Sequence, residues 1–221
     1  MISFHTFIML SALEALNRLR DGNKRFVANQ PAGGVSIATR GVDLISGQEP
    51  FAIVLGCSDS RVPAELIFDQ GFGDLFVIRV AGNIVAPSQV GSVEFAASRF
   101  GTRLVVVLGH SHCGAVQAAL DELEGHPTSD SQNLRSIVNR VRPPLELLLK
   151  SRESQDGTTI FREAVRANVE ASANHLRHGS ELLERLIREN GLLVVGAEYS
   201  LENGVVDFFD GVPASIEDQA L

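Results

Sequence analysis

Two groups of reactive side chains follow two apolar runs that lie about fifty residues apart. The first run is FAIVLG, and Cys57, Asp59 and Arg61 come directly after it. The second run is LVVVLG, and it is followed by His110 and Cys113. Thiolate and imidazole are zinc ligands, and catalytic zinc sites use three protein ligands with a fourth position open. Cys57, His110 and Cys113 are therefore the candidate metal ligands.

Asp59 and Arg61 are separated by a single residue. An arginine can hold a carboxylate through two hydrogen bonds and keep it ionised. Beside a metal-bound water, Asp59 can accept the hydrogen bond of that water or, released from Arg61, take the fourth coordination position. Neighbouring charges more often form a plain surface ion pair. The position directly after a candidate ligand favours a catalytic pair.

Other interpretations of the two cysteines stay open at this point. Unpaired cysteines are commonly buried as small apolar residues, and a structural disulfide is disfavoured in a reducing compartment. A redox dithiol protein would need Cys57 and Cys113 to approach as a bridge with no metal. A thiol phosphatase would hold phosphate in a loop between a cysteine and an arginine. The stretch from Cys57 to Arg61 is too short for such a loop, and Asp59 would place negative charge at the phosphate.

The apolar runs predict strands that alternate with helices. Residues 51–56 are apolar on both faces, as in a strand of a buried parallel sheet. Because ligands collect outside the carboxyl ends of such strands, the two reactive groups are expected to meet at one edge. The predicted fold is α/β, with a mainly parallel central sheet of four strands, a C-terminal antiparallel edge strand and flanking helices. The strands are expected at 51–56, 75–80, 103–109, 192–196 and 205–209, with crossover helices at 89–100 and 113–123.

The N-terminal part of the chain lies outside this alternation. Ser11 and Glu14 form a capping-box pattern ahead of a helix that is expected to end near Asn29. A helical block is expected from about 131 to 188, kinked or divided at Pro143 and Pro144. We predict one domain, 1–221, with residues 1–50 as a helical arm that packs on a partner subunit and residues 51–221 as the α/β core.

Composition limits the classes of function. The 221 residues are 44% hydrophobic and 21% charged, and the formal net charge is −8. An acidic chain is not expected to bind nucleic acid or anionic membrane. No apolar run approaches the roughly 18 residues that a membrane span needs. The first residues lack the features of a secretory signal, so a cytoplasmic location is expected.

The motifs Cys57-Ser58-Asp59-Ser60-Arg61 and His110-Ser111-His112-Cys113-Gly114 resemble those of the β-class carbonic anhydrases. The similarity extends over nearly the whole chain, from the Leu13–Phe26 stretch through Arg79-Val80-Ala81-Gly82-Asn83 to the Tyr199–Gly204 end. The resemblance implies one Zn²⁺ per chain, bound by Cys57, His110 and Cys113. It also implies reversible hydration of carbon dioxide to bicarbonate and a proton by attack of zinc-bound hydroxide, with the Asp59–Arg61 dyad orienting the zinc-bound water.

The resemblance also implies an assembly and a substrate pocket. Members form intertwined homodimers, often paired into homotetramers, with the active site at the dimer interface. A non-catalytic homologue that binds bicarbonate is the alternative from another class, and the intact motifs disfavour it. The positions that match substrate-contacting residues are Gln48, Phe76, Ala81, Phe95 and Gly114.

One position bears on regulation within the family. Some members close the zinc site by coordinating the aspartate, under control of bicarbonate in a pocket built by a Trp, an Arg and a Tyr. Arg79 and Tyr199 match this pocket, but Val54 stands where the Trp is expected and the chain has no Trp. The prediction is therefore an open site, in which Arg61 holds Asp59.

Overall fold

The computed structural model describes residues 10–32, 45, 47–126, 130–150 and 157–214. The first four strands run parallel, and the fifth pairs antiparallel with the fourth. This confirms the predicted sheet. The strands are β1 (Ala52–Gly56), β2 (Leu75–Arg79), β3 (Leu104–His110), β4 (Leu193–Tyr199) and β5 (Val206–Asp210), in the spatial order β2-β1-β3-β4-β5.

Seven α-helices and one 3₁₀ turn flank the sheet in the part of the chain that the structure describes. No helix there has both the length and the apolar character that a membrane crossing requires. The helices are α1 (Ala12–Val27), α2 (Ala64–Ile67), α3 (Pro87–Arg99), α4 (Gly114–Leu123), α5 (Gln132–Lys150), α6 (Gly157–His178) and α7 (Glu181–Asn190), and the 3₁₀ turn is Ala81–Asn83.

The two prolines of the helical block do not divide it. Pro143 and Pro144 both lie inside α5. A proline inside a helix removes a backbone hydrogen bond and crowds the preceding turn. The apolar face of α5 continues across them, however, with Val138, Val141 and Leu145 buried. We attribute the continuous helix to this packing.

The core lies on both faces of the sheet. Every residue of β1 and β3 is buried, as expected for central parallel strands. Leu16 and Leu19 of α1 pack on one face together with Phe68. Leu176 of α6 and Leu183 of α7 pack on the other. Complete burial of each such side chain contributes about 1.5–3 kcal/mol to folding.

Helix α1 begins at the predicted capping box, in which Ser11 and Glu14 bond to each other's backbone N–H groups. Its inner face packs against its own chain, where a Cβ added at Gly22 would lie 1.8 Å from the backbone oxygen of Phe68. Only glycine allows so close an approach. The packing of the arm on a partner stays a prediction, and residues 1–9 and 33–44 lie outside the described ranges.

Parallel strand order brings four chain segments to one edge of the sheet. In the register, Gly56 of β1 lies between Arg79 of β2 and Leu108 of β3. His110, expected just beyond β3, is its last residue and pairs with Tyr199 of β4. The loops that follow β1 and β3 are therefore neighbours.

Candidate metal centre

The three candidate ligands meet at this edge. Cys57 follows β1, His110 ends β3, and Cys113 is the residue before α4. All three are buried, and their potential ligand atoms lie within 4.8 Å of one another. Bonds of about 2.0–2.3 Å to a tetrahedral zinc ion separate its ligands by roughly 3.3–3.8 Å. The group is therefore spaced for one shared ion after a small contraction.

The His110 imidazole is oriented for metal binding. Its Nδ1 lies 2.8 Å from the Ser111 carbonyl oxygen, which can only accept, so Nδ1 carries the proton. The opposite nitrogen, Nε2, is buried without a hydrogen-bond partner. Buried polar atoms without partners are rare and call for an explanation. An unpartnered imidazole nitrogen grouped with two buried sulfur atoms fits a soft or borderline metal ion such as zinc.

The pKa values of the two thiols are shifted in opposite directions. The Cys113 thiol bonds to Cys57 and, against the opposing effect of burial, holds the pKa of Cys57 at about 4. The same contact, together with burial, raises the pKa of Cys113. Burial lowers the pKa of His110, but the Cys57 sulfur, the Ser111 carbonyl and the Asp59 carboxylate together offset it, so the pKa is raised. A metal cation would favour the second thiolate and exclude a proton from His110 Nε2, while the Nδ1 proton stays on the Ser111 carbonyl.

The 3₁₀ turn after β2 closes over Cys57. The backbone N–H of Gly82 donates a hydrogen bond to the Cys57 sulfur over 3.3 Å. Gly82 has a φ of +67°, and a Cβ there would lie 2.9 Å from the Ala115 Cβ. Both the left-handed backbone and the lack of space require glycine. The turn thus stabilises a thiolate at Cys57.

Asp59 and Arg61 form the predicted pair. Arg61 Nε donates to Asp59 Oδ1 over 2.9 Å, and Nη2 donates to Oδ2 over 2.7 Å. The Arg61 backbone N–H also donates to Oδ1, over 2.9 Å. The side-chain bonds from Arg61, opposed by burial, hold the pKa of Asp59 well below its usual range. Asp59 Oδ2 lies 4.0 Å from His110 Nε2, so an ionised carboxylate borders the ligand group.

Comparison with known proteins identifies the family. A family model described as carbonic anhydrase matches residues 52–206, which is well over half of the chain. The chain belongs to the β-carbonic anhydrase family. It is 38% identical over 190 residues to carbonic anhydrase 2 of Mycobacterium tuberculosis, covering 86% of this chain and 89% of that protein. It is 39% identical over 194 residues to the carbonic anhydrase of Mycolicibacterium smegmatis, covering 87% of this chain and 91% of that protein.

Solved structures of β-carbonic anhydrases have the same fold. The enzyme of Aspergillus fumigatus is similar with a TM-score of 0.70 at 25% identity, over 93% of this chain and 94% of that one. One of two tetrameric enzymes from Sordaria macrospora has a TM-score of 0.70 at 23% identity, over 86% of this chain and 93% of that one. The predicted family and enzyme class, a carbonic anhydrase of the lyase type, are confirmed.

Only two of the five predicted β-carbonic anhydrase pocket residues lie beside the ligand group within one chain. Ala81 precedes the glycine that bonds to Cys57, and Gly114 follows Cys113 directly. Phe76 pairs with Ile53, four residues before Cys57, and its ring lies 6.2 Å from that of Phe95. Phe95 is 53% exposed. Gln48 is exposed and precedes the amino end of β1, whereas the ligand group follows its carboxyl end.

Arg79 supports the loop from Cys57 to Arg61, the first ligand loop, through contacts that the sequence analysis did not predict. Its Nε donates to the Cys57 carbonyl oxygen over 2.9 Å, and its Nη2 donates to the Asp59 carbonyl oxygen. The guanidinium therefore holds the backbone between a ligand and the dyad. The carboxyl end of β2 lies beside that of β1. The tendency of functional groups to collect at the carboxyl ends of parallel strands is the sequence signal that could have indicated this role of Arg79.

Proposed function

We propose that the protein is a zinc-dependent enzyme that hydrates carbon dioxide reversibly to bicarbonate and a proton. The observation that carries the proposal is the buried group of Cys57, His110 and Cys113, with an unpartnered imidazole nitrogen and an ionised Asp59 beside it. Family membership supports the same reaction. When bound, zinc would supply the Lewis acidity that lowers the pKa of water. Hydroxide would then be available to attack carbon dioxide at a pH where free water stays protonated.

The chain's own residues would orient the reaction. Asp59, held by Arg61, would accept the hydrogen bond of the attacking water and fix its lone pair toward the substrate. The Gln48 amide would donate to the substrate oxygen as negative charge develops on it. Ala81, Phe76, Phe95 and Gly114 would give carbon dioxide a small apolar site.

Elemental analysis and stopped-flow carbon dioxide hydration test the proposal together. We expect one zinc per chain and turnover that disappears on chelation and returns with zinc. Cys57→Ala should lose the zinc and the activity, and retention of both would overturn the ligand assignment. Zinc without turnover would indicate a binding protein instead, and a Cys57–Cys113 disulfide without zinc would indicate a redox protein.

We further propose that the site is of the open type. Arg61 holds both oxygens of Asp59, and Arg79 donates to the backbone of the same loop. Val54 is fully buried in the sheet, where the closing members of the family have a Trp. Crystal structures at acidic and alkaline pH test this, since Asp59 is expected to remain on Arg61 in both. Coordination of the metal by Asp59 at acidic pH would contradict it.

We also propose a homodimer, or a dimer of dimers, in which each site borrows residues from the partner subunit. Gln48, Phe76 and Phe95 lie away from their own ligand group, and α1 leaves Leu13 and Val27 partly exposed. One solved relative is described as tetrameric. In this proposal the 221 residues form one domain, with residues 1–50 as the arm that packs on the partner.

A complementation experiment tests the shared site. Gln48→Ala and Cys57→Ala chains are each expected to be poorly active, but their mixed dimer contains one site with an intact ligand group and an intact Gln48. Co-expression should therefore restore activity above that of either variant. A mixture no more active than its parts would show that Gln48 does not act across the interface.

The cytoplasmic location is retained as a proposal. Both cysteines are unbridged in the structure, and the proposed ligand role needs them as thiolates. A reducing compartment keeps them in that form. Fractionation of the native host cells, with the enzyme recovered from the cytoplasmic fraction, is the expected result.

A further inference from the structure

One carboxylate connects the turn between β4 and β5 to the second ligand loop. Glu202 Oε2 accepts hydrogen bonds from the Ser111 hydroxyl over 2.9 Å and from the Ser200 hydroxyl over 2.7 Å. Glu202 Oε1 accepts a hydrogen bond from the His112 imidazole over 2.7 Å. The Leu201 backbone N–H in turn donates to the Ser111 hydroxyl over 2.9 Å. The turn is therefore tied to both residues that separate two ligands.

Ser111 passes this restraint to His110. Its hydroxyl bonds to Glu202, its backbone N–H donates to the Tyr199 carbonyl over 3.0 Å, and its own carbonyl accepts from His110 Nδ1 over 2.8 Å. The position of the Ser111 carbonyl thus decides where the opposite nitrogen points. Partners of this kind fix the tautomer and the ring direction of a metal-binding histidine.

His112 adopts a backbone conformation that must be held in place. Its φ is +56°, in the left-handed region that residues other than glycine rarely adopt. Such a conformation is unfavourable for a residue with a side chain and persists where surrounding contacts enforce it. The turn at His112 reverses the chain between His110 and Cys113, so that both side chains face one point. The bond to Glu202 restrains this residue from the outside.

We propose that Glu202 is a positioning residue of the metal centre, which holds Ser111 and His112 so that His110 and Cys113 are presented together to one ion. The inference rests on the proposed zinc site. The His112–Glu202 ion pair alone would have little effect, because the two side chains are 68% and 56% exposed and exposed ion pairs are weak. The path through Ser111 to the buried imidazole is what gives the carboxylate an effect on the metal.

Zinc affinity, measured by competition with a chromophoric chelator, tests the inference. Glu202→Ala should weaken zinc binding by about tenfold or more, which is typical of lost partners of metal ligands. Glu202→Gln retains one acceptor oxygen and should fall between this variant and the wild type. The visible spectrum of the Co²⁺-substituted protein should shift in the same order, because it reports the geometry around the ion. Glu189→Gln, on the exposed side of α7, is the matched control and should behave as the wild type.

Two further variants show whether Glu202 acts on the metal centre through Ser111 or through His112. If Glu202 acts through Ser111, Ser111→Ala should reproduce the loss and adding Glu202→Ala to it should have little further effect. If only the ion pair matters, His112→Ala should reproduce the loss and Ser111→Ala should not, and the proposal would then be wrong.

A purely structural role makes a different prediction. It would lower the free energy of unfolding of the zinc-free protein and leave zinc affinity unchanged. Zinc affinity of Glu202→Ala within twofold of the wild type, with an unchanged Co²⁺ spectrum, would overturn the positioning role. Failure of the wild-type protein to bind zinc at all would instead overturn the proposed function.

Discussion

Each of the two ligand loops is held in place by one charged side chain, and the two side chains carry opposite charges. The loop after β1 carries one ligand and the charged dyad, and a cation, Arg79, holds it through backbone carbonyl oxygens. The second loop, taken from His110 at the end of β3 to Cys113, carries two candidate ligands and no dyad, and an anion, Glu202, holds it through side chains. We call Arg79 and Glu202 the two clamps; each lies on the neighbouring strand or in the turn that follows it. The two loops are therefore supported from β2 and β4, the strands that flank β1 and β3.

The difference indicates that the first loop mainly controls the rate and the second mainly controls the affinity for the ion, a division of labour between the two loops. A fault in the first loop displaces Asp59 and Arg61, so it should act mainly on the rate of the zinc-loaded enzyme. A fault in the second loop displaces His110 and Cys113, so it should act mainly on the affinity for the ion. Measuring rate and affinity separately for the same variant can break this comparison or sharpen it.

Asp59→Asn should have the largest effect among variants that keep the metal. The amide cannot accept from the water and from Arg61 as the carboxylate does. Loss of a group of this kind typically lowers rates by about 10²–10³-fold. Stopped-flow kcat/KM should fall by that amount at full zinc occupancy. Ser60→Ala, in the same loop, should stay within twofold, and a comparable fall there would mean that the loop as a whole is disturbed.

Arg79→Gln should separate the two loops most directly. It removes the donors to Cys57 and Asp59 oxygens, and we expect kcat/KM of the zinc-loaded enzyme to fall about tenfold. Its zinc affinity should change less than that of Glu202→Ala. Arg99→Gln, an exposed position of α3, serves as the control. If both clamp variants lose affinity and rate in the same proportion, the division of labour does not hold.

Gly82→Ala should affect the contact between the 3₁₀ turn and Cys57. The positive φ and the 2.9 Å distance to the Ala115 Cβ predict a loss of about 1–3 kcal/mol in the free energy of unfolding. Gly91→Ala is the opposite control, because a Cβ there meets nothing within 4 Å and helix α3 should gain about 0.5–1 kcal/mol. Urea unfolding measures both. Equal effects would mean that Gly82 needs neither the φ nor the space.

Sequence patterns predicted the elements that depend on local chemistry. The apolar runs locate β1 and β3, and the carboxyl-end rule of parallel sheets predicts that Cys57, His110 and Cys113 lie together, as they do in the structure. The short helix α2 was missed because four residues carry no periodic signal. The division expected at the prolines of α5 does not occur, because packing of the apolar face outweighs local propensity.

The supporting contacts were harder to predict because they join distant parts of the chain. Glu202 and His112 are ninety residues apart, and nothing in a polar turn specifies which carboxylate will face a ligand loop. The family resemblance associates Arg79 with a regulatory pocket, whereas its guanidinium donates to the first ligand loop. Such roles depend on strand order and register, which fix where loops meet but are not encoded within either segment.

The smallest expected effect is the pH dependence of the stability that each clamp contributes, which should differ between Glu202 and Arg79. The hydrogen bond from Ser200, with others, lowers the pKa of Glu202 from 4.5 to about 2. A carboxyl with a lowered folded-state pKa stabilises the fold above its unfolded-state pKa and loses that contribution as the pH falls. The stability difference between the zinc-free wild type and Glu202→Gln should therefore shrink from pH 5 to pH 3.

Arg79→Gln provides the reference for this titration, since an arginine remains a cation throughout this range. Its stability difference from the wild type should stay constant, and titrations common to all the chains cancel in each difference. Urea unfolding of the three zinc-free proteins at pH 5, 4 and 3 measures both trends. A difference for Glu202→Gln that is independent of pH would mean that its carboxylate is held no more firmly in the folded chain than in the unfolded one. The second loop would then be fixed by the serine and backbone hydrogen bonds alone.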